Sequence, residues 1–429
     1  MKEENGPIKA RGGAGVAVGT PTGRKAPAGA GAGVSSSRNF SFDVLRALAT
    51  VSVVALHAAG PVLYEYGTLP AGEWWAANAI DSAVRFSVPV FLMLTGALLL
   101  PRVEPAGEFL KRRFSRLLGP FLFWSIVYLA VALYFTSAGT GSILPFIIQR
   151  LRSGASFHLW YVYMLIGIYL LLPVMQRWVA AAGRRDVEYF LVLWLVALFA
   201  GQPFVASYLP DFNLMYFSGY IGYPVLGYYL HNFILTRHNE AQPGPAAGIH
   251  AGLSESGRGP AQRHTGSRVV NRIALFLLIP GFLITFIGTG WISASRNHFD
   301  QTFYEYLSFN VIAMAAGVFM LMGNIRKEEA PETPTPVKRR LPQTVAVVLS
   351  RYSYGIYLSH VFVLKLATFL QWDLLIKKVS GSGISSIAET AMALHPAIGI
   401  PLLTVATTLV SLAITMGLSK LPGGKYIAG

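Results

Sequence analysis

Apolar runs long enough to cross a lipid bilayer recur along this chain, and they constrain its fold more than any other feature. A helix needs about 20 predominantly apolar residues to cross the hydrocarbon core, about twice what a barrel strand needs. No water reaches that core, so each backbone amide must find its partner within the protein, which leaves helices or closed barrels. The runs here have helix length. Hydropathy predicts ten of them, at roughly 41–63, 79–100, 117–136, 158–176, 188–205, 215–235, 271–292, 306–325, 344–370 and 397–418. Only 13% of residues are charged, against about 25% in soluble proteins. The expected class is therefore all-α: a polytopic membrane protein, a bundle of about ten transmembrane helices in the cell (plasma or inner) membrane.

Charge sets the expected orientation. If the chain starts inside, the loops that fall in the cytoplasm are rich in Lys and Arg, among them PRVEPAGEFLKRRFSR, QRWVAAAGRRD and IRKEEAPETPTPVKRR. The opposite connections hold few cations: Arg150, Arg152, Arg296, Lys377 and Lys378. Positive loops stay inside, so both termini are expected in the cytoplasm. The net charge of +15 then reports orientation rather than nucleic-acid binding, because the cations are scattered among loops. Residues 1–40, rich in Gly, Ala, Pro and Ser, lack the apolar core of a signal peptide and read as a disordered basic cytoplasmic tail. The membrane domain spans 41–418 and contains a flexible cytoplasmic linker, 236–270, whose histidines read as solvated. Residues 419–429 form a cytoplasmic tail. The chain has no cysteine, which excludes disulfides and thiolate chemistry, and no bound metal is expected.

Ionisable groups inside spans are costly and point to function by default. In LRALATVSVVALHAAG, Arg46, Thr50, Val53 and His57 follow at steps of four, three and four, and Asp43 extends the stripe by a turn. At 1.5 Å per residue, roughly 16 Å of helix separates Arg46 from His57. A neutral imidazole at that depth has a lone pair and can act as a general base; the alternative is a structural histidine bonded between helices. No carboxylate stands at a helical step to orient it, so an orienting partner must come from another helix. Arg46 is either an interface anchor or part of a cavity wall, with Asp43 placed to pair with it.

In DSAVRFSVPVFLMLTGALLL, Asp81 and Arg85 stand at i, i+4 and Pro89 disturbs the helix below Arg85. This is either a structural ion pair or a donor to an oxygen-rich substrate. Lys111, Arg112, Arg113 and Arg116 precede the third span, either as positive-inside anchors or as a phosphate site matched by guanidinium forks. Ser353, Tyr357 and His360 form a polar face in SYGIYLSH. His158 and Trp160 in FHLWYVYML are expected to meet the outer interface, the Trp as part of an aromatic belt.

Five stretches in this order, RALATVSVVALH, RFSVPVFLMLTGALLL, KRRFSRLLGPF, HLWYVYMLIGIYLLLPV and SYGIYLSH, resemble the integral-membrane acyltransferase 3 family, with the polysaccharide O-acetyltransferase branch nearest. The resemblance covers the membrane part and implies an O-acyltransferase. Such an enzyme takes an acyl group, usually acetyl from acetyl-CoA, to a hydroxyl of a surface glycan or its lipid-linked precursor. It implies catalytic roles for His57 and Arg46, a CoA-binding role for Arg112, Arg113 and Arg116, and substrate-binding roles for Arg85, Ser353, Tyr357 and His360. Partners implied are acyl-CoA, a glycan or lipid-linked saccharide, and membrane lipid. Three departures stand out. Thr95-Gly96 replaces the Ser-Gly common in relatives, the linker after the sixth span is unusually long, and no hydrolase-like domain follows the membrane part. Transfer is therefore expected within the bundle or through a separate partner.

The chief rival is a transporter or flippase of lipid-linked saccharides. Against it stand the lack of an internal repeat and of paired broken helices. A noncatalytic receptor or assembly subunit is the second rival.

Overall fold

A computed structural model describes residues 39–136, 143–206, 219–236, 260–324, 341–370 and 394–429. The basic tail up to residue 38, most of the 236–270 linker, the Pro-rich segment before the ninth expected span, and Lys377 and Lys378 lie outside the described residues. Among the described residues there is no strand.

The helices are α1 Phe40–Tyr64, α2 Ala71–Val84, α3 Ser87–Leu99, α4 Ala106–Thr136, α5 Ile143–Ser153, α6 Trp160–Ala181, α7 Arg184–Ala200 and the single turn α8 Pro203–Ala206. They continue with α9 Gly222–Tyr229, which runs into a π-helical turn Leu230–Leu235, then α10 Pro260–Arg296, α11 Phe309–Gly323, α12 Leu341–Arg351, α13 Ser353–Leu370 and α14 Pro396–Lys420. Seven helical stretches are long and apolar enough to cross a membrane: 40–64, 71–99 (α2 with α3), 106–134, 157–181, 268–296, 302–323 and 396–420. The other three expected spans are helical where described. Of these, α7 has only 17 residues, the span at 215–235 is described from residue 219, and the span at 344–370 is interrupted at Tyr352 between α12 and α13. α10 starts at Pro260, inside the expected linker; proline's fixed φ suits a first helical turn.

The exposed faces of α10 and α14 are those of a protein in lipid. Phe276, Ile279, Ile287 and Trp291 of α10, and Val405 and Leu409 of α14, point outward. The buried face of α14 consists largely of small and hydroxylated residues, including Gly399, Thr404, Thr408, Ser411 and Thr415. Thr404, Thr408 and Thr415 return their hydroxyls to carbonyls one turn back at 2.7–2.8 Å. Small residues inside and large apolar ones outside are how helices associate where lipid removes the hydrophobic drive between them. The chain is a multi-pass membrane protein.

α1 is the hub, packing on α2, α3, α11, α12, α13 and α14. The tightest crossing is between α3 and α9. A Cβ on Gly96 would lie 1.8 Å from the Pro224 carbonyl oxygen, and one on Gly227 would lie 2.1 Å from that of Met93. Only glycine at both positions permits this contact.

Candidate functional site

A cavity of about 270 Å³ opens between α1, α3, α4, α6 and α13. Its polar lining includes Arg46, Arg113 and Arg116 together with Tyr161, Ser353 and Tyr357. Arg116 is exposed, Arg113 and Arg46 are half-buried, and Ser353 and Tyr357 are buried. The cavity thus runs from a cationic rim to a buried aromatic end. Three guanidinium groups from two helices meet there because Arg46 is on the face of α1 that looks toward α4 and α13. A relay from α12 holds it in place. Ser350 Oγ accepts from Arg46 Nη1 at 3.2 Å and donates to Asp43 Oδ1 at 2.7 Å. Thr50, the next residue on the stripe, spends its hydroxyl on the Arg46 carbonyl at 2.7 Å. The expected Asp43–Arg46 pairing therefore includes a serine brought from far along the chain.

Beyond the aromatic end, three histidines converge from three segments. His57 comes from α1, His158 from the 3₁₀ turn Phe157–Leu159, and His360 from α13. Ring centres are 5.2 Å apart for His57–His360, 5.2 Å for His158–His360 and 6.3 Å for His57–His158. Tyr357 packs 5.6 Å from His158 and 5.9 Å from His360, and its hydroxyl donates to the His158 carbonyl at 2.5 Å. His57 does not line the cavity. Its half-buried ring meets Phe157 edge-on at 5.1 Å, and ring contacts lead from the cavity-lining Tyr357 through His158 and His360 to it. Among the described residues, no group of His, Asp and Glu is disposed to hold a metal ion.

Pro89 determines where Arg85 lies. Proline has no N–H for the residue-85 carbonyl and its ring clashes there, so the helix breaks at Arg85–Phe86 between α2 and α3. The buried Arg85 donates to Asp81 Oδ2 at 2.5 Å, lies 3.9 Å above the Tyr304 ring, and keeps an Nε without a protein partner. Tyr304 in turn donates to Asn78 Oδ1 at 2.6 Å.

The model of the acyltransferase 3 family, described as an acyltransferase domain, matches residues 39–416. The chain belongs to this family. No curated protein and no solved structure matches it. The matched region holds all seven apolar helical stretches almost entirely, so the chain is a membrane acyltransferase in fold and family.

Within this acyltransferase the residues singled out by sequence fall into three groups. Arg46, Arg113, Arg116, Ser353 and Tyr357 share one cavity. His57 and His360 meet behind it, and Arg85 stands in its own buried ion pair on the broken helix. Arg112 is apart from all of these: it is half-exposed and faces Glu104 at 3.4 Å and Glu108 at 3.9 Å. His158 was not expected at the site: it is buried inside the protein beside His360, whereas its neighbour Trp160 is half-buried and stacks on Tyr306 at 5.8 Å. The available signal was a polar residue directly ahead of an apolar run. Residue type at a helix start does not separate an interfacial histidine from one folded inward.

Proposed function

We propose that this acyltransferase moves an acetyl group from acetyl-CoA to a hydroxyl of a cell-surface polysaccharide or of its lipid-linked precursor. It does so within a ten-helix bundle of the plasma or inner membrane, with both termini in the cytoplasm. The observation that supports the reading is the arrangement of the cavity, with guanidinium groups at its rim and three imidazole rings beyond its far wall. Guanidinium forks match phosphate oxygens. A cavity of about 270 Å³ suits the slender arm of a CoA thioester, leaving the nucleotide at the rim beside Arg113 and Arg116, with Arg112 farther out.

In this reading the arm follows the polar stripe of α1 past Arg46, Ser353 and Tyr357, and the acceptor hydroxyl arrives from the outer side. His57 takes the hydroxyl proton as the oxygen attacks the thioester carbonyl. The C–O bond forms, the C–S bond breaks, and the proton passes from His57 to the leaving thiolate. The unpartnered Nε–H of Arg85 is the donor assigned to the developing oxyanion. Tyr357 and His360 stand between the cavity and His57. The reading is tested by mass spectrometry of surface glycans from cells carrying the parent chain or His57→Ala. The ester mass is expected to disappear in the variant while membrane levels of the protein stay constant. An unchanged ester mass would refute a role for His57.

A further inference from the structure

Among the described residues no hydrogen bond holds either ring nitrogen of His57, whose contacts are ring to ring. A general base needs its second nitrogen fixed if the first is to present its lone pair reliably. His360 differs from it in one respect that decides its tautomer. Its Nδ1 is 2.6 Å from the Tyr357 carbonyl oxygen. A carbonyl only accepts, so the hydrogen is on Nδ1 and, in the neutral ring, Nε2 carries the lone pair. That Nε2 is buried without a partner, on a residue with 0% exposure, and a buried acceptor left unpaired costs stability. His158 gives no such assignment, because its Nδ1 meets the Ser156 hydroxyl at 3.1 Å, and a hydroxyl both donates and accepts.

The orphan acceptor and the unheld ring are neighbours. Their centres are 5.2 Å apart and their planes differ by 27°. That separation is compatible with one edge-to-edge N–H···N bond of about 2.9 Å, so closing it calls for a turn of the His57 ring rather than a shift of α1 or α13. We propose that His360 is a positioning residue for His57. Its Nε2 accepts the N–H of His57, which fixes the nitrogen of His57 that stays bare. When His57 takes the acceptor's proton, the same lone pair faces the resulting imidazolium. The proton itself stays on His57 until it passes to the thiolate. This inference rests on the reading of His57 as the base.

The test uses the full chain in native membranes that carry their own acceptor, with acetyl-CoA as the probe, free thiol release as the rate and calorimetric acetyl-CoA binding as the check on folding. His360→Asn keeps an amide N–H near the Tyr357 carbonyl but has no acceptor at the Nε2 position, whereas His360→Gln places an oxygen there. The expected result for His360→Asn is a loss in kcat on the order of 100-fold, with KM and acetyl-CoA affinity unchanged. His360→Gln is expected to recover at least roughly a tenth of the parent rate, a difference in the direction general-base support implies. An equal loss in both variants, a rate for His360→Asn close to that of the parent, or a loss of acetyl-CoA binding in step with activity overturns the inference. Activity persisting in His57→Ala instead overturns the underlying reading, so the two failures are distinguishable.

Discussion

At the rim of the cavity, Arg113 and Arg116 reach partly into solvent, and no backbone bond fixes a proton on them. Behind its far wall, His158 and His360 are sealed from solvent and tied by hydrogen bonds to Ser156, to Tyr357 and from Tyr357. The contrast follows from what each place costs. A guanidinium at a membrane edge keeps much of its hydration, whereas a charge sunk in the bundle needs a partner, as Arg85 has in Asp81. A neutral imidazole needs only hydrogen bonds. Permanent charge therefore gathers at the rim, and the imidazole rings lie behind the far wall.

The largest expected effect strikes the buried side of this comparison. Asp81→Asn leaves Arg85 buried without its counter-charge, and breaking such a pair costs about 3–5 kcal/mol. Chemical unfolding in lipid nanodiscs measures it, and a loss under about 1 kcal/mol would mean that Arg85 is hydrated after all. Next comes the rim. Removing Arg113 and Arg116 together is expected to raise KM for acetyl-CoA roughly 100-fold, at about 1.5 kcal/mol per charge-assisted bond, with kcat held. Arg112→Ala, already engaged by two glutamates, is expected to shift KM less than about twofold. Equal effects at Arg112 and Arg113 would erase the distinction between cavity wall and surface.

Tyr357→Phe tests the wall between the two regions. It deletes the bond to the His158 carbonyl, worth about 1 kcal/mol, and is expected to lower kcat several-fold without changing acetyl-CoA affinity. The smallest effect lies outside the bundle, in the loop between α10 and α11. Burial pushes the Asp300 carboxyl up, but hydrogen bonds from Thr302 and the Arg296 guanidinium outweigh it and hold the group below its ordinary value of 3.8. A depressed carboxylate stabilises the fold above that ordinary value and loses its contribution as pH falls through the folded value. Asp300→Asn is therefore expected to cost little at neutral pH and to flatten the stability profile on the acid side of 3.8. Since Arg296 is more than half exposed, solvent keeps the effect small.

What could be read from the sequence was whatever a single helix carries. The stripe of Arg46 and His57, the face shared by Ser353, Tyr357 and His360, and the break that Pro89 imposes beside Arg85 all follow from local periodicity and from proline geometry. What could not be read was what packing between helices decides. No spacing places Ser350 between Asp43 and Arg46, brings His158 inward against His57, or leaves Arg112 on the outside while Arg113, one residue on, lines the cavity. The Thr95-Gly96 departure also became intelligible only from coordinates. Gly96 meets the Pro224 backbone, whereas the Thr95 hydroxyl returns to the Phe91 carbonyl at 2.9 Å, a bond serine can also make. The expected span count was resolved least well where helices are short or interrupted, at α7 and at the α12–α13 junction.

The central claim is that a thioester entering past Arg113 and Arg116 ends beside His57. An electron cryomicroscopy map of the full chain with a nonhydrolysable acetyl-CoA analogue tests it most directly. The account predicts phosphates against those two arginines and the acyl carbon beyond Tyr357, within reach of the His57 ring. Density for the analogue elsewhere on the bundle, or an arm that stops short of an unmoved Tyr357 with His57 still walled off, would contradict it.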